Sequence, residues 1–142
     1  MRALIAIQTA VLITIGAMTA TAATTTTPAS GGSNVAADRA QNGVAPAFTT
    51  LGSVVISEAS NADFKTSGTL VLTAPSGWQF NPAAAVSATP GKVGGGTTQV
   101  DISASVGAIT ASTITINITV NATARLDNLT LSGIQVQAVE GG

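Results

Sequence analysis

Few side chains in this chain could carry out acid–base or nucleophilic chemistry. The sequence contains no His, Cys or Tyr. Nucleophile–base pairs built on histidine, and zinc sites of the usual kind, are therefore impossible. Serine and threonine are abundant, but only Lys65 and Lys92 could act as bases for them. Both lysines fall in segments that we predict to be loops, so we interpret them as solubilising charges.

The acidic side chains show no arrangement that predicts a catalytic pair. They are Asp38, Glu58, Asp63, Asp101, Asp127 and Glu140. A glycosidase needs two carboxylates that flank a cleft, normally with aromatic side chains that hold the sugar. No such cluster is visible along the chain. The sequence therefore predicts no catalytic residue and no enzyme activity.

A calcium site is an alternative use for some of these oxygens. Glu58, Asn61 and Asp63 could approach Asp127 or Asn128 at one end of a β-sandwich and supply ligands to Ca²⁺. Their spacing matches no calcium-loop pattern, so we interpret them as solvated loop charges. The sequence predicts no metal ligand, no cofactor-binding residue and no cofactor.

The aromatic side chains allow two interpretations. Trp78 and Phe80 lie one alternation apart, after a turn predicted at residues 75–77, and the chain has one Trp and three Phe in all. An exposed pair could form a platform for sugar binding, although such a site normally lines up several aromatics. A single pair in an Ala-rich protein more often fills the centre of the core. We favour the core position.

Two further patterns carry little functional signal. N-glycosylation sequons begin at Asn117, Asn121 and Asn128, and such matches arise easily by chance in a Thr-rich chain. The glycine-rich residues 89–98 lack the GK[ST] ending of a phosphate-binding loop, and no helix is predicted after them. We interpret that stretch as a flexible hairpin loop.

The strongest structural signal is a strict two-residue alternation at residues 113–121 (TITINITVN). The apolar residues share one side of an extended strand and the polar residues the other, and β-branched residues favour strand over helix. One face is therefore expected to be buried and the other wet.

Shorter segments repeat this pattern. Apolar alternation predicts strands at residues 52–58, 69–74 and 100–106, with the last forming a hairpin with residues 113–121. Residues 59–67 form a polar loop in which Phe64 is the lone apolar anchor. Residues 83–88 are a weak strand or a short bridging segment.

The last apolar stretch changes phase. Leu129 and Leu131 point inward at odd positions, whereas Ile134, Val136 and Ala138 do so at even positions. A β-bulge at Gly133 would restore the register, since glycine tolerates the required backbone angles. A tight hairpin at residues 132–133 is the alternative.

The N-terminal part is expected to consist of an export signal followed by a linker. Residues 1–22 combine Arg2, an apolar stretch and the small-x-small pattern of residues 20–22, which predicts a secretory signal peptide. A retained membrane anchor is the alternative, but the apolar stretch is shorter than the roughly 20 residues that a span needs. Residues 23–47 are Thr/Ala/Gly-rich and predict a flexible linker, with one helical turn conceivable at 36–41 and an edge strand at 44–48.

The composition of the chain argues against a nucleic-acid-binding or disulfide-stabilised protein. Only 8% of residues are charged and 3% aromatic, against about a quarter charged in typical globular proteins. The net charge of −1 and the lack of a basic run predict no nucleic-acid partner. Without cysteine, no disulfide framework can form. Because the chain has few charges, electrostatic repulsion between neighbouring copies is weak.

A resemblance supports the same architecture. The layout of residues 52–58 (GSVVISE), 69–82 (TLVLTAPSGWQFNP) and 129–138 (LTLSGIQVQA) resembles immunoglobulin-like β-sandwich repeat modules of large secreted or surface bacterial proteins, of the adhesin type or associated with S-layers. It covers residues 51–138 and is best at residues 70–80. It implies a spacer or binding unit with no catalytic residue to carry over.

Together these observations predict an all-β protein with an immunoglobulin-like, two-layer antiparallel β-sandwich of six or seven strands, preceded by the signal peptide and linker. The sandwich is expected at residues 48–142, as the C-terminally truncated front end of a longer chain.

The expected function is a non-catalytic exported structural or adhesive surface module, secreted or on the cell surface, within a larger surface protein. Expected partners are other domains or copies of the surface protein, polysaccharide or a host or cell-surface ligand, with no stable membrane span after signal cleavage. The alternative is a self-assembling extracellular fibre or matrix subunit, in which residues 44–48 add to an open sheet edge of the next copy.

Overall fold

The structure, a computed structural model of the chain, describes residues 24–31 and 47–139. These residues include no helix, and the pairings between their strands are antiparallel. The strands are β1 (Thr24–Thr27), β2 (Thr49–Thr50), β3 (Val54–Glu58), β4 (Gly68–Thr73), β5 (Trp78–Phe80), β6 (Ser87–Lys92), β7 (Ile102–Ile109), β8 (Thr113–Val120), β9 (Asp127–Ser132) and β10 (Gln135–Ala138). They form three sheets with the orders β1-β3-β9-β6, β2-β10-β5 and β4-β8-β7. The all-β prediction is confirmed, whereas the expected count of six or seven strands is too low.

The strand predicted from the alternation at residues 113–121 is β8, which lies between β4 and β7 in its sheet. Ile114 and Ile116 on its inner face are 1% and 0% exposed. Burying a side chain of that size stabilises the fold by roughly 1.5–3 kcal/mol. On the outer face Asn117 and Thr119 are exposed. The predicted division of this strand into a dry and a wet face is therefore confirmed.

A single hydrophobic cluster joins the three sheets. Its buried members are Phe80, Ile114, Ile116, Leu129, Leu131, Ile134 and Val136. The inward positions predicted on the shorter strands pack against it as half-buried side chains, among them Val54, Ile56, Leu70, Leu72, Ala104 and Val106. Phe64 also contacts this cluster. Its predicted role as the apolar anchor of the 59–67 loop is confirmed.

The hairpin predicted between residues 100 and 121 is confirmed, but its first arm is longer than expected. β7 continues through Gly107 to Ile109, and its register against β8 shifts between Val106 and Ile109. Val106 pairs with Ile116 and Ile109 with Ile114, so two residues of β7 lie opposite one of β8. This β-bulge lets the strand pass the glycine at which the sequence suggested a turn.

The glycine-rich stretch after residue 88 is only partly a loop. β6 (Ser87–Lys92) pairs with β9 along its whole length, from Ser87↔Ser132 to Lys92↔Asp127. The prediction of a weak strand at residues 83–88 followed by a flexible loop at 89–98 is therefore wrong in its boundary. Pro90 is compatible with this strand because β6 lies at the edge of its sheet, where a missing N–H leaves no partner unsatisfied.

The four threonines after the predicted cleavage site form a strand. β1 pairs with β3 over four Cα partners, although all four threonine side chains are exposed. The prediction that residues 23–47 are a flexible linker is wrong for this segment, because main-chain hydrogen bonds to a neighbouring strand need no apolar side chain. The predicted signal peptide (1–22), the turn at 36–41 and residues 44–46 lie outside the described residues. The division into domains stays a prediction.

The phase change at Gly133 is where the chain passes from one sheet to another. β9 ends at Ser132 in the sheet with β3 and β6, and β10 begins at Gln135 in the sheet with β2 and β5. Gly133 has φ +76°, and Leu131 and Ile134 on either side of it are both buried. The change of phase is confirmed. The predicted β-bulge is wrong because the two strands belong to different sheets, and the alternative of a tight hairpin is wrong because β9 and β10 do not pair.

Candidate functional site

Three acidic side chains are buried at one end of the β3–β9 ladder. Glu58, Asp101 and Asp127 are 5%, 8% and 1% exposed, and we call them the carboxylate cluster. The interpretation as solvated charges is therefore wrong for Glu58 and Asp127. Glu58 continues the inward positions of β3, and Asp127 begins those of β9, so both point into the fold rather than towards solvent.

Main-chain amides satisfy most of the oxygens in this cluster. Phe64 N donates to Glu58 Oε1 and Asp127 N donates to Glu58 Oε2, each at 2.7 Å. Asp127 Oδ2 accepts a hydrogen bond from Asp101 N at 2.8 Å. Hydrogen bonds of this charge-assisted kind are roughly twice as strong as neutral ones. Glu58 thus ties the 59–67 loop and the start of β9 to the end of β3.

Asp101 extends the cluster to a third loop. Its Oδ2 accepts hydrogen bonds from Ala124 N at 2.6 Å and Arg125 N at 2.8 Å, and its carbonyl oxygen accepts one from Asn121 N at 2.7 Å. Asp127 Oδ1 is buried and has no hydrogen-bond partner among the described residues. Within the described ranges no group of three or more acidic side chains is placed to hold a metal ion. The arrangement ties loops to the ends of strands.

Some of the other residues considered for chemistry lie next to this cluster. Lys92 is the last residue of β6 and the Cα partner of Asp127, so its predicted position in a loop is wrong. Asp63 caps its own loop, where its Oδ2 accepts hydrogen bonds from Ala59 N and Ser60 N at 2.9 Å. Asn61 Nδ2 donates to the Ala124 carbonyl oxygen at 3.0 Å. Lys65 is exposed. Asp38 and Glu140 lie outside the described residues.

The aromatic pair divides between the core and the surface. Phe80 is 6% exposed and belongs to the hydrophobic cluster, so the core interpretation is confirmed for it. Trp78 follows the turn predicted at residues 75–77, in which Trp78 N donates to the Pro75 carbonyl oxygen at 3.1 Å. It is half-buried and lines an open apolar pocket of about 320 Å³. The pocket residues are Ala29, Leu51, Ala74, Pro75, Trp78, Phe80 and Val136.

One wall of this Trp78 pocket comes from the N-terminal arm, by which we mean residues 24–31. Ala29 is half-buried there, and the next residue accepts a hydrogen bond through its carbonyl oxygen, from Gly52 N to Ser30 O at 2.8 Å. A side chain at Gly52 would overlap Ser30 Oγ and crowd the Ser30 main chain. This contact could not be predicted from the sequence, since the arm has no apolar alternation.

The sequons are partly accessible. Asn117 and Asn121 are exposed, as expected for the wet face and the loop after β8. Asn128 is half-buried, and its Nδ2 donates to the Lys92 carbonyl oxygen at 3.2 Å. Attachment of a glycan at Asn128 would disturb the β6–β9 pairing, whereas the other two sites leave it intact.

Comparison with known proteins assigns no class to the chain. No protein-family model, no curated protein and no solved structure matches it. In the part of the chain that the structure describes, no helix is long and apolar enough to cross a membrane. Functional interpretation therefore depends on the geometry of the arm, the Trp78 pocket and the carboxylate cluster.

The accessibility of Trp78 can be measured directly, because it is the only tryptophan. We expect its emission to be blue-shifted relative to the unfolded chain, and its acrylamide quenching constant to be roughly half the unfolded value, as for a half-buried indole. Quenching as strong as in denaturant would instead indicate an exposed aromatic platform. The unfolded protein at the same concentration is the control.

Proposed function

We propose that this chain is a non-catalytic, exported structural or adhesive surface module, built on an immunoglobulin-like β-sandwich and acting within a larger surface protein. The observation that carries the proposal is the set of hydrogen bonds that the carboxylate cluster accepts. Glu58, Asp101 and Asp127 direct their oxygens at main-chain amides of three loops. The hydrogen-bond partners of these acidic groups are main-chain amides, which is a structural use of the side chains.

The exposed surface supports the same proposal. Apart from Val71, which is 50% exposed, the outer face of the β4-β8-β7 sheet presents small hydroxyl and amide side chains. The exposed ones include Thr69, Thr73, Ser103, Ser105, Asn117 and Thr119. Such a surface is neutral and can form hydrogen bonds without strong electrostatic selectivity. It suits contact with neighbouring domains or with polysaccharide. A cell-surface ligand of the same polar character is an equivalent partner.

Export can be tested in the producing organism. We expect a tagged chain to begin at Ala23, following removal of residues 1–22, and to be degraded when intact cells are treated with protease. Replacing Ala20 and Ala22 by leucine should block processing, because signal peptidases require small residues at these positions. N-terminal mass determination and protease accessibility are the two measurements. A chain that keeps Met1 and resists protease on intact cells would contradict the proposed location.

A second candidate, favoured by the position of β1, is a self-assembling fibre or matrix subunit. The sequence suggested residues 44–48 as the complementing strand, but Ala47 and Phe48 are not in a strand and the remainder lies outside the described residues. β1, in contrast, is an added edge strand of the β3 sheet. Deletion of residues 23–50 should abolish assembly. Polymers of unchanged size by light scattering would count against this candidate.

A further inference from the structure

The N-terminal arm is held on the fold almost entirely by its main chain. β1 pairs with β3 from Thr24↔Glu58 to Thr27↔Val55, and its four threonine side chains are exposed. The hydrogen bond from Gly52 N to Ser30 O continues this attachment, and Ala29 is the half-buried side chain of the arm. Such pairing gains its affinity from backbone hydrogen bonds, as in strand addition to a sheet edge. It does not depend on which copy of the chain supplies the strand.

β3 has contacts with β9 and with the core that would keep it ordered if the arm dissociated. On its other side it pairs with β9 over four Cα partners, from Val54↔Leu131 to Ser57↔Asn128. Val54 and Ile56 pack against the core, and Glu58 accepts two main-chain amides inside the fold. Without β1, therefore, β3 would remain an ordered edge strand.

The inward-pointing carboxylate of Glu58, at the end of β3, is the one feature of this edge that natural proteins use against added strands, and residues 54–57 carry none. The sequence of β3 is VVISE, without the Lys, Pro or bulge that natural proteins use to protect an exposed edge. The edge must be covered, and here a threonine strand covers it. An equivalent strand from a neighbouring copy would meet the same backbone groups of β3.

The chain between the arm and β2 is long enough for exchange. Residues 32–46 connect Gly31 to Ala47, and a segment of this length spans at most about 50 Å when fully extended. The protein also carries a net charge of only −1, so electrostatic repulsion between copies is weak.

We propose that the arm is an exchangeable strand: the arm of one copy pairs with β3 of a second copy of this chain, and its Ala29 lies in that copy's Trp78 pocket. The proposal rests on the second candidate function, that of an assembling subunit, and names its donor and acceptor strands. The contacts within one chain and between chains are the same, so exchange costs little beyond association. High local concentration, as on a crowded surface, favours the exchanged form.

Disulfide trapping between two different variants tests the exchange. Thr25 and Ser57 are directly opposed on β1 and β3, which places their Cα atoms within the range of separations that a disulfide bridges. The chain has no native cysteine. Full-length T25C and S57C proteins are mixed under reducing conditions, near the millimolar effective concentration of a tethered strand, and then oxidised. We expect a mixed disulfide dimer at roughly ten times the yield of a collision control.

The controls make each outcome decisive. T25C mixed with V71C measures random collision, because Val71 is 50% exposed on β4 and faces no arm. The T25C/S57C double variant reports the pairing within one chain. A mixed dimer at the control yield, alongside an efficient internal disulfide, overturns the exchange. Failure of both disulfides also overturns it, since the arm then does not lie on β3.

A second variant tests whether ladder pairing is the cause. Consecutive N–H groups of a strand point in opposite directions, so replacing Thr26 and Thr27 together by proline removes the one that faces β3. The T26P/T27P variant should reduce the mixed dimer to the control yield, whereas T26S/T27S should not change it. An unchanged yield with T26P/T27P would contradict exchange through β1. A mixed disulfide in a protein that forms no polymer by light scattering would contradict the assembling subunit and leave the exchange standing.

Discussion

Replacement of Glu58 by glutamine is expected to lower the free energy of unfolding by about 3 kcal/mol, since two hydrogen bonds to a charged group are altered and one buried amide is left without an acceptor. In the parent protein Phe64 N and Asp127 N donate to the two Glu58 oxygens, both at 2.7 Å, and the side chain is 5% exposed. Glutamine has nearly the same volume but presents an NH₂ group to one of these N–H donors. The loss is a large part of the 5–15 kcal/mol that stabilises a typical domain.

Denaturant unfolding followed by Trp78 fluorescence measures this loss. We expect the midpoint to fall while the slope with denaturant is unchanged, because the surface exposed on unfolding stays the same. Lys65→Gln is the matched control: it neutralises one exposed charge in the loop that Glu58 holds, and should change stability by no more than about 0.5 kcal/mol. If Glu58→Gln were as stable as Lys65→Gln, the carboxylate cluster would not be what holds these loops.

The burial of Glu58 and Asp127 could have been predicted from alternation alone. Val54, Ile56 and Glu58 occupy successive inward positions of β3, and Asp127, Leu129 and Leu131 do so on β9. The ladder pairs Val54 with Leu131 and Ile56 with Leu129, so one further step brings Glu58 opposite Asp127. What alternation could not provide is the set of loop amides that make this burial favourable.

Two of the strands whose extent the sequence did not predict, β1 and β6, were missed for a common physical reason. β1 (TTTT) has no apolar side chain, and β6 (SATPGK) has only a half-buried Ala88 and Pro90 to mark its inner side. Both lie at the edges of the β3–β9 sheet, where backbone hydrogen bonds to a single neighbour suffice. Apolar periodicity indicates which side chains are buried, but it contains no information about backbone pairing between an edge strand and its neighbour. The Trp78 pocket was missed for the same reason, since its Ala29 wall depends on where β1 lies.

Replacement of Gly133 by alanine is expected to destabilise the fold by about 3 kcal/mol, combining a left-handed backbone penalty of roughly 1–2 kcal/mol with the cost of a forced backbone shift. Gly133 has φ +76°, and an added Cβ would collide with the Ala85 carbonyl oxygen and lie 3.5 Å from Val86 Cα. These are main-chain atoms, so no side-chain rotation can relieve the overlap.

The effect of this substitution also tests how the chain crosses from one sheet to another. Gly133 is where the chain crosses from the β9 sheet to the β10 sheet, between the buried side chains of Leu131 and Ile134. A backbone shift there displaces apolar groups on both sides of the crossing. Gly68→Ala is the matched control, because a Cβ at this exposed strand position meets nothing within 4 Å. Denaturant midpoints of the two variants give the comparison, and equal midpoints would mean that the crossing does not require a left-handed residue at position 133.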